Sequence, residues 1–218
     1  MRITISKENY LKAIAEAESE GETVIAATLA RWLGVSAPAV TMATKRLKRD
    51  ALIEAAKDGR ITLTATGREI ANRLIYRHYL IERMLTEVFG MEWYKVHDEA
   101  EALEHAVSGE FERRLIEKLG SNLADCPHGN RLGLDTPADR RARGLRPLDE
   151  ALQGEARVVS VYERDRQLLE YLNGLGIRPG ATLGVVARNP DETITLRVNG
   201  SAIPLGKAAA GRVWVQPA

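Results

Sequence analysis

Apolar residues recur at helical spacing from the start of the chain. Tyr10, Leu11, Ile14 and Ala17 fall three or four apart within 6–20 and Gly21 ends the run, which predicts a first helix. A second helix is predicted over 24–33. Gly34, Val35 and Ser36 make a short turn, and a third helix runs to about Asp50. Two short helices joined by a brief glycine-containing turn are the helix-turn-helix pattern. The spacing then changes. Residues 52–55 and 60–64 read as short strands turned by Lys57-Asp58-Gly59, and Asp-Gly is a strong hairpin signal. Three helices and a hairpin predict a winged helix-turn-helix over 1–66.

Thr66 opens a long helix to about Phe89, with Ile70, Leu74, Ile81, Leu85 and Val88 as its apolar stripe, and Gly90 breaks it. Further helices are predicted over 94–108 and 109–119, making an all-helical dimerisation block of 67–125. Residues 126–154 are rich in Pro, Gly and Arg and read as a connector. Beyond 155 the pattern is of short strands, at 157–162, 182–188, 193–199 and 212–215, separated by Pro-Gly, Asn-Pro-Asp and Asn-Gly turns. That spacing fits a small β-barrel over 155–218. The fold class is mainly α with a small β part.

Composition adds limits. The chain has 218 residues, 44% hydrophobic, 28% charged and 5% aromatic. No apolar run approaches the length of a membrane span, and the charged start at Lys7 and Glu8 is unlike a secretory signal, so no membrane partner is expected. A single cysteine, Cys126, rules out an internal disulfide and suits a cytoplasmic location. With a net charge of only +1, nucleic-acid binding requires a local basic surface.

The third predicted helix supplies one. Ser36 stands at its N-cap and Pro38 in its first turn, where a missing N–H costs nothing. Such a helix, which also carries Thr41 as a DNA-binding candidate, enters the major groove by its N-terminal end, placing Ser36, Pro38, Ala39 and Met42 nearest base edges. Lys45, Arg46 and Arg49 would reach phosphates, as would Lys57 and Arg60 from the wing. Small and apolar groups at the reading end offer few hydrogen bonds to bases, so much of the specificity is expected from DNA shape and paired half-sites.

The second candidate chemistry lies in 97–105. On a helix His97, Glu101, Glu104 and Ser108 share a stripe, with His105 one turn from Glu101. Val96, Ala100, Leu103 and Val107 form the adjacent apolar stripe, so these donors border a buried face. His78 interrupts the apolar stripe of the preceding helix, with Glu82 one turn later, and His128 lies two residues after Cys126. Each residue alone reads as packing or surface. Together, imidazole and carboxylate on neighbouring helices suit a first-row divalent metal.

With both halves in view, the sequence resembles the diphtheria-toxin repressor and manganese transport regulator family of metalloregulators, in its three-domain form. The resemblance is carried by Tyr10-Leu11, by Val35-Ser36-Ala37-Pro38, by 63–67 (Leu-Thr-Ala-Thr-Gly), by 95–105 and by Cys126-Pro127-His128-Gly129-Asn130. It implies a C-terminal SH3-like (FeoA-like) barrel. It also implies a primary metal site at Asn9, His78, Glu101, Glu104 and His105, and a second at Glu82, Cys126, His128 and Asp165, which His97 could join. Glu101 stands where iron-type members carry sulfur and manganese-type members a carboxylate, which points to Mn²⁺. Two departures stand out. Asn9 replaces the usual Asp of manganese-type members, and Lys12 stands where two-domain manganese sensors have a Glu bridging two metals. Leu168, where some relatives place a Gln ligand, leaves the barrel a largely structural or partner-binding role.

The resemblance implies a repressor, not an enzyme, that binds a palindromic double-stranded DNA operator as a homodimer and controls metal uptake. Metal would fix the separation of the two DNA-reading heads, with binding weakened below about pH 6 as histidines protonate. Iron-responsive repression through Fe²⁺ is the alternative within the family. Co²⁺, Ni²⁺, Zn²⁺ and Cd²⁺ are expected to substitute in vitro. A metalloenzyme using the His/Glu cluster is the alternative of another class, against which the sequence offers no His-Glu-x-x-His and no nucleophile–base pair. A head regulated by a small organic ligand is a third, and no such substrate is expected.

Overall fold

The computed structural model describes residues 3–120, 126–131 and 135–218. Helix α1 (Ile5–Ser19) starts on a Thr4 cap and buries Leu11, Ile14, Ala15 and Ala17. It packs on α2 (Ala26–Leu33), which Gly34 ends in the left-handed conformation at φ 63°. Ser36 then caps α3 (Ala37–Arg49) by accepting the Ala39 N–H, and Val40, Ala43 and Leu47 face inward. The wing follows as β1 (Ile53–Ala55) and β2 (Ile61–Leu63), paired antiparallel with Ile53 opposite Leu63. Leu11, Leu29, Val40, Leu47, Leu52 and Ile61 share one core, which closes the winged head.

Helix α4 (Ala65–Arg83) leaves the wing and carries the chain into the helical block. A single α-helix is predicted to Phe89, but the last turn, Met84–Val88, is π-helical, with the Phe89 N–H reaching back to the Met84 carbonyl at 3.3 Å. Helix α5 (Val96–Leu103) is shorter than the predicted 94–108, and α6 (Gly109–Leu119) follows on a Ser108 cap. The early end of α5 matters. Glu104 and His105 lie in a turn, so they are not rungs of one helical stripe, and Ser108 is occupied as a cap.

The segment predicted as a connector is structured where it is described, and residues 132–134 lie outside the described residues. Its parts are α7 (Pro137–Ala142), the short strand β3 (Arg146–Pro147) and a 3₁₀ turn at Leu148–Glu150. Strands β4 (Gly154–Val161), β5 (Thr182–Arg188), β6 (Thr193–Val198), β7 (Ser201–Gly206) and β8 (Val213–Pro217) complete a six-stranded antiparallel sheet in the order β3-β8-β4-β5-β6-β7. The sheet thus begins at Arg146, earlier than the expected start at 155. Strand β7 escapes a sequence reading because Pro204 interrupts it. As the terminal strand it has a free edge, where a missing N–H is tolerated. Helices α8 (Arg166–Gly174) and α9 (Lys207–Ala210) lie between strands, and α8 buries Leu169 and Leu172 in the barrel core.

Cys126–Asn130 touches both the winged head and the barrel. The Cys126 thiol side packs into the core of the winged head, while the His128 carbonyl accepts the Val161 N–H of β4 at 3.0 Å. Gly129 makes the close approach possible. Its φ is +78°, and a Cβ there would lie 1.9 Å from the Val159 carbonyl oxygen. Gly129→Ala is therefore expected to cost more than about 2 kcal/mol and to lower the thermal midpoint by several degrees. Gly34→Ala, with φ +63° and nothing within 4 Å, should cost only about 1 kcal/mol. Equal melting shifts for the two variants would contradict this packing.

Candidate metal centre

Two groups of polar side chains meet at His78, whose ring is buried in α4 between them. On its Nε2 side is the junction of the three units. His78 Nε2 is 3.0 Å from Glu82 Oε1, one turn along α4, and 3.1 Å from His97 Nδ1 on α5. The same carboxylate oxygen lies 3.3 Å from His128 Nδ1 and 3.4 Å from His97 Nδ1. Cys126 Sγ is 3.9 Å from His128 Nδ1 and 3.5 Å from an oxygen of Glu163, which lies in the turn two residues past the end of β4. Asn130 Nδ2 donates to that Glu163 oxygen at 2.6 Å. Glu82, Cys126, His128 and Glu163 are all buried and each offers one ligand atom, all within 4.8 Å of one another.

Burial sets the electrostatics. Glu82 is 0% exposed, and its carboxyl is held well below the usual range, because the His128 and His78 rings outweigh the burial that pushes it up. Burial and the Lys12 ammonium push His78 down, yet Glu82 and Glu104 win and raise it to about 9. His128 is raised by Glu82 and Glu163 against the same burial. Burial, then Glu163 and Glu82, push the Cys126 thiol well up. Among the described residues, Glu82 Oε2 and His128 Nε2 are buried without any hydrogen-bond partner. Orphaned buried polar atoms cost on the order of 1–3 kcal/mol each. Two carboxylates, an imidazole and a thiolate make a donor set that fits a first-row divalent cation, and Glu82 Oε2 is an unpaired oxygen such a cation could engage.

On the Nδ1 side of His78 lies a cleft between α1 and the turn after α5. Glu104 Oε2 is 2.8 Å from His78 Nδ1, and Lys12 Nζ donates to it at 2.7 Å. His105 Nε2 is 2.6 Å from Asn9 Oδ1, and its Nδ1 is 3.0 Å from Glu8 Oε2. Glu101 is half exposed and faces two cations, Lys12 at 3.8 Å and Arg164 at 3.4 Å. The residues expected at the primary site are therefore gathered around one cleft, with a lysine among them.

Asp165 is placed differently from its expectation. Its carboxylate caps α8 by accepting the Leu168 N–H at 2.9 Å, outside the buried cluster. Glu163, two residues earlier, stands there instead. The sequence held a signal for this, since an Asp before Leu168, Leu169 and Leu172 is a helix cap. His97 does join the junction, through Glu82 and His78.

The winged head presents Ser36, Pro38, Ala39, Thr41, Met42, Lys45, Arg46 and Arg49 together on the outer face of α3, all exposed, with Met42 at 62%. Lys57 and Arg60 are exposed on the wing, where Arg60 Nε pairs with Asp58 at 2.8 Å.

Comparison with known proteins matches each unit to a family. Residues 2–61 match the iron dependent repressor N-terminal DNA binding domain, 64–132 the iron dependent repressor metal binding and dimerisation domain, and 146–217 the FeoA domain. The diphtheria toxin repressor of Corynebacterium diphtheriae is 36% identical over 208 residues, which is 91% of each chain. The chain belongs to the diphtheria toxin repressor family. The iron-dependent repressor IdeR of Mycobacterium tuberculosis is 36% identical over 173 residues, covering 77% of this chain and 73% of its own. A solved manganese-dependent transcriptional repressor in complex with manganese superposes with a TM-score of 0.85 at 33% identity, over 97% of this chain and 100% of that one. The manganese regulator SloR superposes with a TM-score of 0.78 at 29% identity, over 99% and 100%. The protein is thus a metal-dependent transcriptional repressor rather than an enzyme. Among the described residues no helix is long and apolar enough to cross a membrane.

Two expectations follow from the junction. Glu163→Gln should lower Mn²⁺ affinity at least about 100-fold, beyond what loss of an outer partner costs, whereas Asp165→Ala should leave affinity unchanged and cost about 1 kcal/mol of stability as a lost cap. Isothermal titration and melting curves on the two variants check this; a larger affinity loss in Asp165→Ala would contradict it. The second concerns protons. His128 and Cys126 must shed protons to ligate, so metal binding should release protons and strengthen as pH rises from about 6 to 9. Stability that metal-free protein draws from His78 has the opposite slope, being complete below 6.5 and lost as pH rises through about 9. Titrations in buffers of different ionisation enthalpy measure the release, and a pH-independent affinity would contradict it.

Proposed function

We propose that this chain is a manganese-responsive repressor that binds a palindromic DNA operator as a homodimer and controls genes of metal uptake. The buried set of Glu82, Cys126, His128 and Glu163 carries the reading, because it draws donors from α4, from the segment after α6 and from the turn after β4. Bound there, a divalent cation supplies the positive charge that two carboxylates and a thiolate require in a buried site. Carboxylate oxygen and imidazole nitrogen are hard and borderline donors that suit Mn²⁺. The Cys126 thiolate is softer, and with the iron-dependent relatives it favours Fe²⁺ as the second reading.

The residues around the junction account for coupling to DNA. Helix α4 runs unbroken from the wing to Glu82, so the donor and the head share one rod. Arg164 follows Glu163 directly and holds the head at three points. Its guanidinium donates to Glu16 of α1 at 2.6 Å and to the Trp32 carbonyl of α2 at 3.4 Å, and lies 4.8 Å from the Trp32 ring centroid. Drawing Glu163 into a ligand set therefore fixes Arg164, and Arg164 fixes α1 and α2, on which α3 is seated. The helical block leaves Val88, Phe89, Leu103 and Phe111 exposed, apolar side chains that a second subunit would cover. Two heads fixed at one separation can then meet two half-sites on one face of the duplex.

Mn²⁺ is expected to raise operator affinity at least about 100-fold over metal-free protein, a differential of about 3 kcal/mol. Arg164→Ala should leave Mn²⁺ affinity within about threefold while removing most of that gain. Fluorescence anisotropy on operator DNA, run with Mn²⁺, with Fe²⁺ under anaerobic conditions and with chelator, decides it. Equal affinity in all three would end the proposal, and a gain with Fe²⁺ alone would replace manganese by iron.

A further inference from the structure

The cleft between α1 and the turn after α5 holds a buried ammonium. Lys12 is 4% exposed, and its Nζ lies 2.7 Å from Glu104 Oε2 and 3.1 Å from His78 Nδ1. Those two atoms are themselves 2.8 Å apart. The lysine nitrogen thus stands where an ion shared by Glu104 and His78 would have to stand. We infer that Lys12 is the resident cation of this cleft, so that the chain takes one metal ion per subunit, at the junction, and closes α1 onto the dimerisation block with a lysine in place of a second ion.

Three further observations agree. The carboxylates lining the cleft already face fixed positive charge: Glu16 and Glu101 each lie 3.8 Å from Lys12, and Arg164 reaches both, at 2.6 Å and 3.4 Å. A divalent ion placed at hydrogen-bonding range of an ammonium and a guanidinium meets repulsion that few free donors remain to offset. Helix α1 offers the cleft a neutral amide, Asn9, and that amide is engaged with His105 at 2.6 Å. Finally, the contrast with the junction is sharp. There Glu82 faces three imidazoles, His78 at 3.0 Å, His97 at 3.4 Å and His128 at 3.3 Å, and no ammonium or guanidinium among its ion pairs. An imidazole offers a ring nitrogen as a ligand, whereas an ammonium offers only N–H donors. Metal entry is therefore compatible with the chemistry on one side of His78 and opposed on the other.

The tie that Lys12 makes is mechanical as well. Lys12 to Glu104 and Asn9 to His105 both cross from α1 to the turn after α5, so the head is anchored at this point whether or not the junction is filled. The inference rests on the junction being the metal site, and the test separates the two. Full-length protein stripped of metal is dialysed against Mn²⁺, and bound metal is counted by mass spectrometry, with the Mn²⁺ electron paramagnetic resonance signal as a second count. Wild type should bind one ion per subunit, and Glu82→Gln with Cys126→Ser should bind none. Lys12→Gln combined with Asn9→Asp, which removes the ammonium and restores a carboxylate, should bind two. Two ions in wild type would overturn the role of Lys12 without touching the junction, and would do so even if the double variant failed to fold. A folded double variant still binding one ion would overturn it as well. No ion in wild type would overturn the junction reading and the one-ion count together.

Discussion

A carboxylate without solvent is the constraint on which this structure turns. Glu82 is wholly buried where the winged head, the helical block and the barrel meet, and its ion pairs run to histidines rather than to fixed cations. An ionised carboxylate in such a place is tolerated only with compensating charge and hydrogen bonds. His78 and His128, whose pKa values the neighbouring carboxylates raise, provide part of that compensation, and they leave Glu82 Oε2 and His128 Nε2 unpaired. A site built from groups that can exchange protons for a cation is a switchable site. One built around a lysine is not.

That difference divides the labour between the two faces of His78. The Nδ1 face ties α1 to the turn after α5 through Lys12 and Glu104, a fixed anchor. The Nε2 face gathers donors from the helical block, from the segment after α6 and from the turn after β4, and on the proposed reading it is the face that takes metal. Arg164 bridges them, since it borders Glu163 in sequence and grips Glu16 and Trp32 in space. The barrel therefore contributes more than packing. The turn after its strand β4 carries a ligand candidate, Glu163, and a contact to the reading head, Arg164, at consecutive residues.

Much of this was legible in the residues alone. The winged head follows from apolar spacing, the Ser36 cap and the Asp58-Gly59 turn, and the structure places its elements within a few residues of the predicted bounds. His78, Glu82, His97 and the Cys126–His128 pair were visible as donors because each breaks an apolar pattern or lies beside one. The rest depended on chain geometry that spacing does not encode. A helical stripe through 97–108 assumes that α5 continues, whereas it ends at Leu103 and delivers Glu104 and His105 from a turn. Asp165 resembles a ligand in position but caps α8, while Glu163, two residues past the end of β4, is the carboxylate that lies in the buried cluster. The burial of Lys12 is the least predictable of all. A lysine among apolar neighbours on α1 reads as a solvated side chain until the partners from 92 positions away, at Glu104, are in view.

The most direct test of the account is where a metal sits. Crystals of the Mn²⁺-loaded protein, with anomalous difference maps collected above the manganese edge, would locate it without reference to function. The account predicts one strong peak per subunit within bonding distance of Glu82, Cys126, His128 and Glu163, and none between Glu104 and His78 Nδ1. A peak in the α1 cleft with the junction bare would contradict it.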